Sequence, residues 1–328
     1  MDRLVRIDMA LVKTPQRIRL AMLGMVDGNG HPYSWSAIVN GDYNAEAIAA
    51  GGYPGIAKYL SAEPKGALGL DGVKVTHIWC DDPADAARVA EAVRIPNVVE
   101  TPEEVIGKVD AVVIPTDIGW EHLARAKPFI EAGLPVFLDK PLTDREDHLR
   151  QFVRWHRQGK VFLSTSAMRY SREFAHLRQR LFEVGQVRLL TVSMHKSWER
   201  YGIHALESVY PFLAPGGWLS VANTGTSEAN VVHARHRDGV EIVLATIEDI
   251  VGAYGYLHVY GTRGFLSARF SDTFHAFKKQ LEVFVSYLRT GNPPFDFSQT
   301  IEQMKIIVAA IRSRDQGGRR VTLDEIEV

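Results

Sequence analysis

The chain has 328 residues, 46% of them hydrophobic, a formal net charge of −1 and a single cysteine, Cys80. That length allows a large buried core and about two domains. Interspersed charges of both signs give no footprint for a polyanion or a membrane surface. One cysteine excludes a disulfide framework within the chain, and no apolar run approaches the ~20 residues of a membrane-spanning helix. The leading MDRLVRIDMALVKTPQ carries charges throughout and no long apolar stretch, so it does not read as a secretory signal; the expectation is a soluble cytoplasmic protein.

In the first half, strand and helix signals alternate. IRLAML (18–23) is a short apolar run that ends at Gly24. VTHIWC (75–80) is β-rich and ends in Asp81 and Asp82. The helix PADAARVAEAV follows, with Asp82 placed to cap it and Pro83 suited to its first turn. TPEE (101–104) has capping-box spacing. VDAVVI (109–114) reads as a buried strand. GWEHLARAKPFIEAG reads as a helix that Gly133 stops and Pro128 should kink. PVFL (135–138) is a strand, TDRE (143–146) opens the helix DHLRQFVRWHRQG, and VFLSTS (161–166) is one more strand. Such alternation implies right-handed crossovers and a mostly parallel sheet covered on both faces.

After a helix near 171–184 the pattern changes. VRLLTVSMH, VVHARHR, VEIVLATI, GYLHVYG and GFLSARF are β-rich runs, some separated by turn signals such as RDG and TRG, and they predict an antiparallel or mixed sheet. Helical stretches at about 274–289 and 298–313 close the chain. The division falls near 165, giving units 1–165 and 166–328, and the last helix could pack back on the first unit.

An open parallel sheet binds ligands beyond the carboxyl ends of its strands. Those ends are Gly24, Asp81, Pro115–Thr116, Asp139–Lys140–Pro141 and Ser166. Asp139 and Lys140 beside an apolar strand are costly to bury unless paired or facing a cleft; a surface turn with a routine ion pair is the plain alternative.

VDAVVIPTD followed by EHLARAKPFIEAGLPVFLDKPLT resembles the strand–helix–strand–E-K-P block of the Gfo/Idh/MocA oxidoreductases. The resemblance continues through STSAMRYSREF and reaches YGIHALESVY, where that family has a D-x-G-x-H helix motif. It implies an N-terminal Rossmann domain, a doubly wound parallel sheet, and a C-terminal α/β domain with an open, mostly antiparallel sheet. It also implies NAD(P), hydride transfer at a sugar or polyol carbon, and homo-oligomers built on the open sheet. The chain departs from the family in its glycine loop, in Asp139 where glutamate is usual, and in Arg200, which stands where the motif acid should be.

The loop AMLGMVDGNGHPYSW (21–35) does not spell G-x-G-x-x-G, and Asp81 lies 57 residues beyond Gly24, where about 20 is usual for the ribose-binding acid. Residues 41–72 therefore read as an insertion beside a rebuilt loop, expected to shape the cofactor or substrate pocket. Gly24, Val26, Gly28, Asn29 and Gly30 would face the cofactor, with a helix around SWSAIVN offering its N-terminus to the pyrophosphate. Pro115, Thr116, Asp139 and Lys140 would line the same cleft. Asp81 and Asp82 would form the acidic end of the second strand that accepts from the ribose hydroxyls and repels a 2′-phosphate, so NAD is expected over NADP; the plain alternative is that Asp82 only caps the helix, and both hold if Asp81 takes the ribose.

For the chemistry, His204 suits a base because its pKa lies near neutral, and Lys140 could stabilise a developing alkoxide. Arg200 and Tyr201 share a helix face with His204. Either could take the place of the missing acid, and Arg200 could hold a substrate carboxylate. His122 could line the cleft. His233 and His236, three apart in a strand, point to opposite faces and make a poor metal pair, so no metal site is expected. The expected partner is a small sugar, polyol or sugar acid, not nucleic acid or membrane. Two other classes remain open: an enzyme that cycles a retained NAD without net redox change, and a silent dinucleotide-binding protein.

Overall fold

Six short segments form a parallel sheet in the order β3-β2-β1-β4-β5-β6. They are β1 (Ile18–Leu23), β2 (Val73–Trp79), β3 (Asn97–Val98), β4 (Ala111–Ile114), β5 (Val136–Leu138) and β6 (Phe162–Ser164). Strands β4, β5 and β6 are buried at every position, as a sheet covered on both faces requires. The computed structural model describes residues 9–328.

The crossover helices are α1 (His31–Asn40), α4 (Pro83–Val93), α5 (His122–Glu131) and α6 (Glu146–Arg157). Helix α4 starts as its sequence predicts, with the Asp82 carboxylate accepting from Ala84 N at 2.8 Å and Pro83 in the first turn. Pro128 lies inside α5, which still runs to Glu131. Between α1 and β2, the segment expected as an insertion holds α2 (Ala45–Ala50) and α3 (Pro54–Ser61). It is strapped to the end of α1 by backbone bonds from Gly69 N to Ile38 O (2.8 Å) and from Leu70 N to Val39 O (3.0 Å), and its Ile48 and Leu60 are fully buried.

The helix expected over 171–184 is two pieces, α7 (Arg172–Gln179) and α8 (Leu181–Val184), broken at Arg180 and stopped by Gly185 at φ +75°. The second sheet then forms from β7 (Val187–His195), β8 (Trp218–Asn223), β9 (Ala229–His236), β10 (Glu241–Ile247), β11 (Tyr256–Gly261), β12 (Phe265–Arg269) and β13 (Val321–Thr322), with α9 (Trp198–Val209) after β7. Its order is β12-β11-β7-β10-β9-β8-β13, and β7–β10 is its one parallel pair among the described strands. Strand β8 is absent from the sequence expectation. Its run WLSVAN follows a Pro-Gly-Gly turn, and Ser220 and Asn223 break its apolar pattern.

Strict alternation buries Leu190, Val192 and Met194 of β7 and Ile242 and Leu244 of β10 on the inner face, which α9 covers. The last two helices divide the packing. Helix α10 (Thr273–Thr290) lies against α1 and α3, and α11 (Phe297–Asp315) against β8, α9 and α6. No helix among the described residues is long and apolar enough to cross a membrane.

Candidate active site

The carboxyl ends of β4 and β5 meet the start of α9, and four charged side chains converge there. Asp139, 1% exposed, follows β5 and is held by its own N–H to Ile114 O (2.9 Å). Its carboxylate accepts from Lys140 N at 2.8 Å and faces His31 Nδ1 at 2.7 Å. Lys140 is 2% exposed; its Nζ lies 3.3 Å from Asp117 Oδ2, 3.4 Å from Arg200 O and 4.6 Å from the centre of the Tyr201 ring. Arg200 grips the other side of Asp117, Nη2 to Oδ1 at 2.7 Å and Nε to Oδ2 at 3.3 Å.

Burial alone would push the Asp117 carboxyl up, but the Lys140 ammonium and the Arg200 guanidinium outweigh it and hold the group well below the usual carboxylate range. Burial would likewise lower Lys140; Asp117 and then Asp139 outweigh that and raise it. The three groups are therefore charged together at neutral pH. Removing one partner would leave a charge buried and unpaired, at a cost of about 3–5 kcal/mol.

Helix α9 brings the rest. Gly202 is needed locally, because a Cβ there would lie 2.6 Å from the Trp198 ring, which folds back over the helix and donates its Nε1–H to Ile307 O at 3.1 Å. One turn of helix separates Arg200 from His204. His204 is 6% exposed, with Nδ1 2.7 Å from Ser166 Oγ. Burial, then the positive charge of Lys140, hold its imidazole well below the ordinary histidine range, so it is neutral at pH 7. The Tyr201 ring stands at the centre of an aromatic group, 4.8 Å from the His204 ring and 4.9 Å from that of His195, with Tyr254 6.0 Å from His204.

Along the other edge, the glycine loop is built differently from a G-x-G-x-x-G turn. Gly24 has φ +103°, and a Cβ on it would meet Thr116 Cγ2 at 2.9 Å and Arg125 Nη1 at 3.2 Å. Val26 and Asn29 close a tight turn with Gly28 at φ +72°. Asn29 pins that turn to the sheet: its Nδ2 donates to Pro115 O at 3.0 Å, and its Oδ1 accepts from His31 N at 2.9 Å. A Cβ on Gly30 would lie 2.5 Å from both Ile56 and Tyr53, so the inserted segment sits directly on the start of α1. Asp82 is occupied as the α4 cap. Asp81, 45% exposed, pairs with Arg125 at 2.9 and 3.2 Å, and Arg125 also binds Glu121 at 2.9 Å.

The structure thus gathers Asp139, Lys140, Arg200, Tyr201 and His204 into one cluster, and sets Gly24, Thr116 and Asp81 along an adjoining edge. His122 corrects an expectation. It does not line the cleft; it is fully buried, with Nδ1 2.8 Å from Pro141 O and Nε2 2.7 Å from Thr116 O, bracing the loops after β4 and β5. Asp117, His31, His195 and Tyr254 are site residues that the sequence did not single out. For Asp117 a signal existed, since it follows directly on the strand end Pro115–Thr116. A groove of 760 Å³ between α7 and α10 lies away from this cluster.

A dinucleotide fits the edge of this site on two observations. The Thr116 hydroxyl, beside Gly24, is buried without a hydrogen-bond partner, and the space beside Gly28 is open. Comparison with known proteins agrees. Residues 52–166 match the Gfo/Idh/MocA oxidoreductase family, NAD-binding Rossmann fold. The resemblance holds. The whole chain also superposes on solved structures. A probable dehydrogenase from Thermotoga maritima gives a TM-score of 0.70 at 15% identity, over 94% of this chain and 100% of that one. A myo-inositol dehydrogenase from Corynebacterium glutamicum gives 0.68 at 18%, over 94% and 99%. GenD2 from gentamicin A biosynthesis, solved with NAD, gives 0.69 at 18%, over 94% and 96%. At these identities the likeness is one of fold. No curated protein matches by sequence.

Proposed function

We propose that the chain is a dehydrogenase that uses NAD, with NADP the weaker cofactor, and moves a hydride between nicotinamide and a carbinol carbon of a sugar, polyol or sugar acid. The observation that carries this reading is the meeting of buried, charged Lys140 with neutral His204 around Tyr201, at the carboxyl end of a Rossmann sheet. The backbone of Gly24–Gly28, the Thr116 hydroxyl and Asp81 would hold the dinucleotide. Bound NAD supplies the hydride acceptor.

The chain's own groups handle the proton and the charge. With Nδ1 engaged by Ser166, His204 presents Nε2 to the substrate hydroxyl and takes its proton. Lys140 donates to the same oxygen and stabilises the alkoxide as it develops. Asp117, not a residue of α9, supplies the carboxylate that the R-Y-G-I-H motif lacks; it fixes the Lys140 ammonium in place and keeps it protonated. Arg200 is the counter-ion of Asp117 and shares none of its role.

The test is a two-part titration. Binding of NADH and NADPH is followed by quenching of protein fluorescence, and NAD reduction is then screened against polyols, sugars and sugar acids. Tighter binding of NADH and reduction by at least one member of the panel are expected. Absence of any dinucleotide binding would remove the reading.

A further inference from the structure

We infer that Lys196 reads an anionic group on the substrate, so that the favoured substrates carry a carboxylate or phosphate beside the reacting hydroxyl. This rests on the dehydrogenase reading of the same cleft. Among the described non-glycine residues only Arg94 and Lys196 have positive φ, +57° and +65°. Arg94 has a routine reason, since it caps the end of α4 in the left-handed conformation. Lys196 has none: it joins the end of β7 to Ser197, the cap of α9. A lysine in this region is strained, and such strain gathers at functional sites.

The strained turn aims the side chain at the active site. Lys196 Nζ lies 4.7 Å from the centre of the Tyr201 ring, the ring that Lys140 Nζ approaches to 4.6 Å. The two ammonium groups share one aromatic ring, and both act on the same neighbouring imidazole, His195. The charges there do not balance. Both oxygens of Asp117 are taken by Lys140 and Arg200, and both oxygens of Asp139 by Lys140 N and His31. Lys196 makes no ion pair among the described residues, and its charge, after burial, helps to lower His195. Glu248 acts at longer range on Arg200 and gives Lys196 no contact. A partly buried lysine with no ion pair among the described residues, its ammonium over the ring that Lys140 also approaches, is built for an anion.

This assigns to Lys196 what the sequence suggested for Arg200, whose guanidinium is committed to Asp117. Hydrogen bonds to charged groups contribute about 1.5–3 kcal/mol, which is roughly ten- to a hundredfold in affinity.

The experiment is calorimetric titration of gluconate, glucose 6-phosphate and myo-inositol into the full chain with NADH present, repeated for Lys196→Met, Lys196→Arg and Lys196→Gly. The anions should bind more tightly than myo-inositol. Lys196→Met should weaken the better anion at least tenfold more than it weakens myo-inositol, and Lys196→Arg should restore most of the loss. Lys196→Gly should lose the anion while its melting temperature holds or rises, because glycine relieves the turn; this separates lost recognition from lost folding. The stronger of the two anions distinguishes a carboxylate site from a phosphate site. Myo-inositol binding as tightly as both anions, or anion binding untouched in Lys196→Met, would overturn the inference and leave the dehydrogenase reading standing. Failure of NADH to bind would instead strike that underlying reading, and anion titration without NADH would then decide on Lys196 alone.

Discussion

Asp117 carries the greatest electrostatic weight of any residue in the site, because two cations depend on it. Asp117→Asn should destabilise the chain by about 3–5 kcal/mol, measured by urea unfolding, since it strands the buried Lys140 ammonium. Asp117→Asn with Lys140→Met should recover part of that loss. The His204 imidazole gives a pH signature. Its folded pKa lies below its unfolded value of about 6.5, so the unfolded chain takes up a proton that the folded chain refuses, and stability falls as pH drops below about 6.5. The melting temperature of His204→Gln should therefore decline less between pH 7 and pH 5, as ~two values bracketing that pKa, than that of the wild type; equal slopes would show that His204 is not buried as a neutral ring. Lys140 and His204 were legible in the sequence because each lies in a run with a recognisable pattern. Asp117 was legible only as a position at the strand end Pro115–Thr116; its pairing was not, because its partner Arg200 is 83 residues away.

At the scale of elements, the inserted segment and the glycine loop behave as one unit. Gly30 has no room for a side chain against Tyr53 and Ile56, so Gly30→Ala should cost about 1–3 kcal/mol by overpacking and weaken NADH binding with it. Tyr53→Ala in the same background should recover some of both, a coupling that a double-mutant cycle reads directly. Cofactor affinity unchanged in Gly30→Ala would detach the insertion from the loop. The spacing of Gly24 and Asp81 pointed to a long stretch between α1 and β2, and α2 and α3 lie there. The clamp formed by Asn29 could not be read from the sequence, because it depends on Pro115 O, which only the sheet brings near. Helix boundaries were clearest where a cap was written into the sequence, as at Asp82, and least clear near 180, where nothing but Arg180 marks the break.

For the whole molecule, the second sheet leaves one face without a layer. Val231, Tyr260 and Phe265 are 39%, 38% and 66% exposed there, and Tyr260 stacks on both His258 and Phe265 at 6.1 Å. We expect this face to pair two copies of the chain. Light scattering should report an oligomer, and Tyr260→Asp with Phe265→Asp should yield monomers; a monomeric wild type at micromolar concentration would contradict the pairing. The alternation of strands and helices made the first sheet legible and the succession of β-rich runs the second, because burial on two faces or on one leaves different sequence patterns. Strand β8 escaped because Ser220 and Asn223 interrupt its apolar run and one of its neighbours, β13, comes from the far end of the chain.

The account stands or falls on hydride transfer at the cluster of Lys140 and His204. The most direct measurement is the rate at which NADH forms from NAD with the best substrate of the polyol, sugar and sugar-acid panel, for the wild type, Lys140→Met and His204→Gln, with NADH affinity determined in parallel. The account predicts turnover by the wild type and a loss of about a hundredfold or more in kcat for each variant, with NADH still bound. Turnover that survives in both variants, or a wild type that binds NADH and reduces NAD with nothing in the panel, would contradict it.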